Sequence, residues 1–118
     1  MLSAPRFVDV DDMTDHVSAT TGSTEQLSCS AVGQPAPQIH WYKDGVPLTV
    51  DGREKDIVID DERKLLRTTR HLVLGDLMRA DSGQYRCTAF NAHGSVSFVY
   101  NLAVLGQIIN VFTQERNR

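Results

Sequence analysis

Apolar and polar residues alternate over several short stretches of the chain, and turn-forming residues separate these stretches. An alternation with a period of two places successive side chains on opposite faces of a β-strand. The pattern predicts strands at residues 7–10, 27–31, 39–42, 72–74, 85–89 and 96–105. No segment carries a helical stripe of apolar residues over three turns. Six or seven short strands joined by turns predict an all-β sandwich.

Composition indicates one small globular domain. The chain has 118 residues, of which 41% are hydrophobic and 23% charged, as in ordinary folded domains. Its net charge of −3 excludes a dedicated nucleic-acid binder. The longest unbroken apolar run, 102–105, has four residues, whereas a helix that inserts into a membrane needs about 20. We therefore expect neither nucleic-acid binding nor membrane insertion.

The N-terminal residues 1–6 lack the apolar core of a signal peptide. Two interpretations are open: an intracellular protein, or a piece of a longer protein whose targeting segment is not included.

The motifs of common catalytic and cofactor sites are missing from the sequence. No two glycines lie close enough for a dinucleotide fingerprint, and no glycine precedes a lysine as a phosphate loop requires. The histidines form no HExxH pair and have no Cys-x-x-Cys partner, so no zinc spacing occurs. We expect no catalytic residue, no cofactor and no metal site, and we expect the histidines at surface or edge positions. The histidines are His16, His40, His71 and His93.

An acidic segment near the N-terminus contains Asp9, Asp11, Asp12 and Asp15. A calcium site between tandem domains is one interpretation, since carboxylate oxygens are the ligands that calcium prefers. A solvated kink in the strand is the interpretation that we favour.

Two cysteines and two aromatic residues have a characteristic order. Trp41 lies 12 positions after Cys29, and Tyr85 lies two positions before Cys87. Around them stand Gly-x-Pro-x-Pro-x-Ile-x-Trp, ending at Trp41, and Asp-Ser-Gly-x-Tyr-x-Cys-x-Ala-x-Asn, ending at Asn91. Over residues 4 to 105 the chain resembles the intermediate-set (I-set) immunoglobulin domains in these motifs.

The resemblance implies a fold and several structural roles. The fold is an immunoglobulin-like, two-sheet antiparallel sandwich with Greek-key topology. In that fold a disulfide, here Cys29–Cys87, joins the two sheets and the indole of Trp41 packs on it. The hydroxyl of Tyr85 bonds back to upstream backbone as a tyrosine corner. The structural core implied by the resemblance comprises Trp41, Leu74, Asp81 and Tyr85.

Domain boundaries follow from the same resemblance. Residues 1–3 form an N-terminal extension, residues 4–105 the domain, and residues 106–118 a tail or linker. The charged stretch 50–69 is longer than the usual connection in the family, and Ile57-Val58-Ile59 within it predicts an extra edge strand.

Alternation also predicts which residues face outward on the second sheet. If Trp41 and Cys87 point inward, their neighbours point to solvent. The outward set is His40, Tyr42, Arg86, Thr88, Phe90, Ser97 and Val99. We expect Phe90 and Tyr42 to lie at the centre of a contact face for another protein or a second copy of the chain. The alternative for Phe90 is an isolated surface ring that is covered by a neighbouring side chain or by the next domain.

A basic cluster contains Arg63, Lys64, Arg67 and Arg70. A site for a sulfated glycan or an anionic lipid is one interpretation of such a cluster. Residues 51–70 contain six acidic and six basic residues, which favours a solvated and self-neutralised surface.

The function that the resemblance implies is binding, not catalysis. The expected owner is a secreted or cell-surface protein: an adhesion molecule, a receptor ectodomain or a secreted factor. A disulfide-competent pair supports this oxidising compartment. The alternative is a structural or scaffolding module of an intracellular muscle or cytoskeletal protein, where similar domains occur in long arrays.

Overall fold

The chain forms two β-sheets packed face to face, which confirms the predicted all-β sandwich. The computed structural model describes residues 2–48 and 57–106. Its strands are β1 Ser3–Phe7, β2 His16–Thr20, β3 Glu25–Leu27, β4 Ser30–Gln34, β5 Gln38–Lys43, β6 Val46–Pro47, β7 Ile57–Arg63, β8 Arg67–Leu74, β9 Gly83–Asn91 and β10 Gly94–Leu105. Short 3-10 turns lie at Val10–Asp12 and Arg79–Asp81.

Each sheet contains five strands. In the first sheet β8 is central, with β7 on one side and β3 and β4 on the other, and β1 pairs with β4. The second sheet has the order β2-β10-β9-β5-β6. All pairs are antiparallel except β2 with β10, which run parallel. β1 and β2 are adjacent in sequence but lie in different sheets, because β1 pairs with β4 and β2 pairs with β10.

The chain crosses between the sheets at the acidic segment. The alternation at 7–10 predicts one strand, but β1 ends at Phe7 and a 3-10 turn begins at Val10. Asp9 adopts the left-handed conformation, with φ of 56°, which is incompatible with a continuing strand. The acidic segment is therefore a kink in the chain, which is the interpretation that the sequence favours.

The predicted strand at 27–31 is interrupted in the structure. β3 ends at Leu27 and β4 begins at Ser30. Between them, the backbone N–H of Cys29 donates a hydrogen bond of 3.0 Å to Nδ1 of His71, a side chain on β8. The imidazole thus accepts the hydrogen bond that a backbone carbonyl accepts elsewhere in the sheet. β3 and β4 both pair with β8 and together occupy the place of one longer strand.

The core lies between the sheets and is built around Trp41. A disulfide joins Cys29, which lies between β3 and β4 of the first sheet, to Cys87 on β9 of the second, and both residues are fully buried. Tyr100 stacks on Trp41 with ring centroids 6.1 Å apart. The indole N–H donates a 2.7 Å hydrogen bond to the carbonyl of Arg70 in the opposite sheet. The other large, fully buried side chains include Leu27, Leu72, Leu74, Leu77 and Tyr85.

Two core tyrosines keep their hydroxyls bonded to backbone. Tyr85 donates to the carbonyl of Asp81, and Tyr100 donates to the carbonyl of Ser28. Burial raises the pKa of Tyr100 to about 12; the bond to Ser28 opposes this shift and the charge of Asp12 adds to it. Burial also raises the pKa of Tyr85, with smaller contributions from nearby carboxylates. Both side chains are therefore neutral hydrogen-bond donors at physiological pH.

Asp81 differs from the rest of the core set that the resemblance implies. It is half-buried, and its carboxylate accepts a 2.8 Å hydrogen bond from the backbone N–H of Met78. Its backbone carbonyl also receives the hydroxyl of Tyr85. Asp81 thus organises the turn before β9 and does not fill the interior.

The predicted extra strand is present as β7, at the edge of the first sheet. It pairs with β8 along its whole length and extends beyond the predicted stretch to Arg63. Most of the predicted tail, from residue 107, lies outside the described residues, so its assignment stays a prediction.

Candidate functional site

The seven predicted outward residues lie on one surface of the second sheet, which we call the β5–β9–β10 face. Backbone pairing places His40 of β5 beside Thr88 of β9, and Thr88 beside Ser97 of β10. The next row contains Tyr42, Arg86 and Val99. Phe90 follows Thr88 on the same side of β9, so the seven side chains form one continuous patch.

Phe90 packs against His40. The two rings meet edge to face, with centroids 5.0 Å apart and an interplanar angle of 74°. This contact leaves Phe90 half-buried, while His40 itself is exposed. The ring is therefore partly covered by a neighbour, as the alternative interpretation proposes, and it is also held in one orientation.

Arg86 and Tyr42 form the second pair on the face. The guanidinium carbon of Arg86 lies 4.4 Å from the centroid of the Tyr42 ring, a cation–π contact. Arg86 is the one residue of the seven with a fixed charge, and its guanidinium contacts an aromatic ring. The face is consequently almost neutral in a chain whose charged residues make up 23% of the sequence.

A short polar strip separates these two aromatic pairs. The hydroxyls of Thr88 and Ser97 lie 2.8 Å apart across β9 and β10 and share a hydrogen bond. Each hydroxyl retains further donor or acceptor capacity. The face thus offers rings for apolar contact and hydroxyls that fix the orientation of a partner.

Three more residues belong to this face and are missing from the predicted set. Gln38 and Ser95 are the cross-strand partners of Phe90, and Gln84 lies two positions before Arg86 on β9. All three are exposed. The same alternation rule that selects His40 and Arg86 selects them, once the strand bounds are known.

The structure disperses the predicted basic cluster. Arg67 bonds to the carboxylate of Asp9 and, at 3.0 Å, to the hydroxyl of Ser30. Arg70 bonds to Asp61 at 2.8 Å. Arg67 and Arg70 are therefore occupied by carboxylates, which weakens the glycan interpretation and agrees with a self-neutralised surface.

His71 does not match the expected surface or edge position for histidines. It lies on β8, the central strand of the first sheet, is half-buried, and accepts the hydrogen bond from Cys29. The physical reason is the break between β3 and β4, which leaves a backbone N–H that needs an acceptor.

Residues 2–48 and 57–106 contain no group of three or more histidine, cysteine or acidic side chains arranged to hold a metal ion. In the same ranges, no helix has the length and apolar character needed to cross a bilayer.

Several known proteins contain a region whose sequence is similar to this chain. Mouse hemicentin-2 is 38% identical over 89 residues, which cover 75% of this chain and 2% of hemicentin-2. Human cell adhesion molecule DSCAM is 31% identical over 102 residues, which cover 86% of this chain and 4% of DSCAM. The chain therefore spans only 2% to 4% of the length of these two relatives.

A solved structure shows the same sandwich. The crystal structure of the titin M10–obscurin-like 1 Ig complex contains a chain with a TM-score of 0.70 and 26% identity, covering 89% of this chain and 97% of that one. The family described as "Immunoglobulin I-set domain" matches residues 8–104. With the inter-sheet disulfide, the buried Trp41 and the bonded Tyr85 in place, the chain belongs to the immunoglobulin I-set domain family.

Proposed function

We propose that this chain is a non-enzymatic protein-binding module of a secreted or cell-surface protein, and that the β5–β9–β10 face is its contact surface. The observation that carries the proposal is the presence of two packed aromatic contacts on that face: the Phe90 ring on the His40 ring, and the Arg86 guanidinium on the Tyr42 ring. I-set domains are typically non-catalytic. One relative is a named cell adhesion molecule, and one similar solved structure is a complex between two immunoglobulin-domain proteins.

Preorganisation is the physical reason that this face suits a partner. Binding is opposed by the entropy lost when mobile side chains become fixed, about 0.5–1.5 kcal/mol each. Phe90 and Tyr42 already have one side packed, so they lose little freedom on binding. Burial of their remaining apolar area contributes about 25 cal/mol per Å². Arg86 is the one residue of the seven with a fixed charge, so burial of the face desolvates a single guanidinium, which already contacts the Tyr42 ring.

The test measures binding with a substitution at the centre of the face. The purified domain, as a multimer, is screened against an array of secreted and cell-surface ectodomains that includes the domain itself. Partners are then titrated with Phe90→Asp, which should weaken association by more than about 2 kcal/mol, roughly 30-fold. Val58→Asp is the matched control, because Val58 is an exposed aliphatic residue on β7 of the opposite sheet.

A second variant keeps the test decisive if Phe90→Asp does not fold. Val99→Asp changes the adjacent row of the face without disturbing the His40 contact. The proposal is wrong if either variant folds and binds every partner as tightly as the Val58→Asp control.

A second candidate function is a structural module of an intracellular muscle or cytoskeletal protein, and the similarity to a chain of the titin M10–obscurin-like 1 Ig complex favours it. The redox state of the cysteine pair discriminates between the two compartments. Protein taken from its natural source is alkylated with and without reductant, and its intact mass is measured. A bonded pair supports the secreted or cell-surface function, and two freely alkylated thiols support the intracellular one.

A further inference from the structure

Four segments that are distant in sequence meet at one end of the sandwich, which we call the loop end. They are the N-terminal residues 2–6, the β4–β5 loop 35–37, the β7–β8 turn 64–66 and the β9–β10 turn 92–93. The side-chain amide of Asn91 donates to the carbonyls of Ser3 and Pro35, at 2.9 and 3.0 Å. The backbone N–H of Gly33 donates to the carbonyl of Leu66 at 3.0 Å. These bonds make the loop end one continuous surface.

Aliphatic side chains protrude from this surface. Leu65 at the tip of the β7–β8 turn is 90% exposed, and Leu2 is 67% exposed. The turn is closed by a 2.8 Å hydrogen bond from the backbone N–H of Lys64 to the carbonyl of Arg67. The turn therefore holds Leu65 outward, where it contributes nothing to the core.

Two cavities open at the loop end, and Leu66, the neighbour of Leu65 in the β7–β8 turn, lines one of them. One, of about 420 Å³, lies between the β4–β5 loop and the β9–β10 turn and is lined by Arg63, Gln38 and Phe90 among others. The other, of about 380 Å³, lies against β1 and is lined by Arg6, Gln34 and Leu66 among others. Each cavity has one charged residue in its lining, and in both cases it is an arginine.

The charge of the loop end is opposite to that of the whole chain. Arg6 and Arg63 have no carboxylate partner among the described residues, and the bond that Arg63 makes is a 3.4 Å contact with the carbonyl of Ala36. Lys64 lies 3.8 Å from Glu62, and both side chains are well exposed, so this pair neutralises little. A basic, apolar end thus exists on a chain of net charge −3.

We propose that the loop end binds an acidic polypeptide segment that carries aliphatic side chains. Carboxylates of the segment pair with Arg6, Arg63 and Lys64, and its aliphatic side chains contact Leu65 and Leu66. The amides of Gln34 and Gln38 favour a peptide over a lipid bilayer, because a peptide backbone supplies hydrogen-bond partners that acyl chains do not. This site lies at the end of the β5–β9–β10 face and shares Gln38 and Phe90 with it.

A peptide selection tests this proposal with random sequences as the probe. The folded domain is immobilised and panned with a phage library of random 12-residue peptides. The library is first depleted on the bare support, and the triple variant Arg6→Gln/Arg63→Gln/Lys64→Gln is kept for the binding measurements. The selected peptides should contain at least about twice the Asp and Glu content of the input library, interspersed with Leu, Ile or Val. By fluorescence anisotropy, the triple variant should bind the best peptide at least about tenfold more weakly.

Matched variants assign the effect to the loop end. Arg79→Gln removes the same charge in the exposed turn before β9 and should leave peptide affinity unchanged. Tyr42→Ser should also leave it unchanged, because Tyr42 lies on the β5–β9–β10 face, so failure of one proposal is distinguishable from failure of the other. Leu65→Ser should weaken binding even though all charges remain.

Three outcomes would overturn the proposal. In the first outcome the selected peptides are not enriched in Asp and Glu. In the second, the triple variant binds these peptides as tightly as the original chain does. In the third outcome the domain binds no acidic peptide but binds phosphatidylserine vesicles or heparin fragments, which would identify the loop end as a lipid or glycan site.

Discussion

Trp41 and Tyr42 are adjacent in β5, yet their surroundings differ in kind. Trp41 is buried, stacks on Tyr100 and bonds through its N–H to the opposite sheet. Tyr42 contacts Arg86, a neighbour in its own sheet, and remains half-exposed. The side chains of the inner layer therefore join the two sheets, whereas those of the β5–β9–β10 face contact only neighbours in their own sheet.

This difference separates stability from recognition along a single strand. A substitution in the inner layer removes contacts with both sheets and should alter the free energy of unfolding. A substitution on the outer face removes contacts within one sheet and should alter binding instead. The following variants test this separation, beginning with the largest expected effect.

Trp41→Ala should lower the free energy of unfolding by about 3–5 kcal/mol, because it leaves a cavity beside the disulfide and Tyr100. Urea denaturation followed by circular dichroism measures the change, with Tyr42→Ala as the neighbouring control. An unchanged midpoint for Trp41→Ala would mean that the inner layer does not hold the sheets together.

Replacing both cysteines with alanine should cost about 4 kcal/mol, the loop-closure entropy for residues 58 positions apart. The double variant avoids a leftover free thiol, and the original chain measured with reductant is the companion experiment. The two should lose similar stability in urea. A loss under about 1 kcal/mol in both would show that the crosslink contributes little to the free energy of unfolding.

High pH should destabilise the inner layer through its two tyrosines. Their folded pKa values are raised, Tyr100 to about 12, so the unfolded chain loses these protons first. Their contribution is therefore fully present below about pH 10 and is lost as pH rises from there through the folded values. Unfolding free energy measured from pH 8 to 12 should fall above pH 10.

Matched phenylalanine variants assign that fall. Tyr85→Phe should cost about 1–3 kcal/mol at neutral pH, because the carbonyl of Asp81 loses its donor, and should reduce the slope above pH 10. Tyr42→Phe, on the outer face, should leave both quantities nearly unchanged. Equal slopes in Tyr85→Phe and the original chain would contradict the role of Tyr85 in the pH dependence.

The smallest effect on stability is expected for the outer face. Tyr42→Ser removes the contact with Arg86 and should cost about 0.5–1 kcal/mol, the usual value of an exposed cation–π pair. Thermal unfolding measures it, and Arg86→Gln should give a similar value through the same contact. A cost near that of Trp41→Ala would erase the distinction between the two layers.

Much of the fold could be predicted from the sequence because alternation is a local signal. Residues such as Trp41 and Tyr42 are assigned to opposite faces by position alone, and the structure places them so. The break between β3 and β4 could not be predicted, because it depends on His71, a side chain 42 positions from Cys29. Likewise, alternation places Phe90 on the outer face but does not reveal that it packs on His40.

The surface of the loop end also could not be predicted from the sequence, for a related reason. Its basic and aliphatic residues come from segments as far apart as Arg6 and Arg63, and no local motif joins them. Within the basic cluster, sequence also gives no indication that Arg67 is occupied by Asp9 while Arg63 is left available. Such distinctions require the tertiary contacts.

The edge strands also bear on how the domain behaves when crowded. An exposed strand edge is a template for intermolecular pairing and aggregation. Here β6 has only two residues and one of them is Pro47, while β1 contains Pro5 and a register shift between Ser3 and Arg6. At the edge strand β7, Asp60 and Glu62 place acidic side chains on its outer side. Protection of these three edges lowers the tendency of copies at high local concentration, or repeated along one chain, to join into a common sheet.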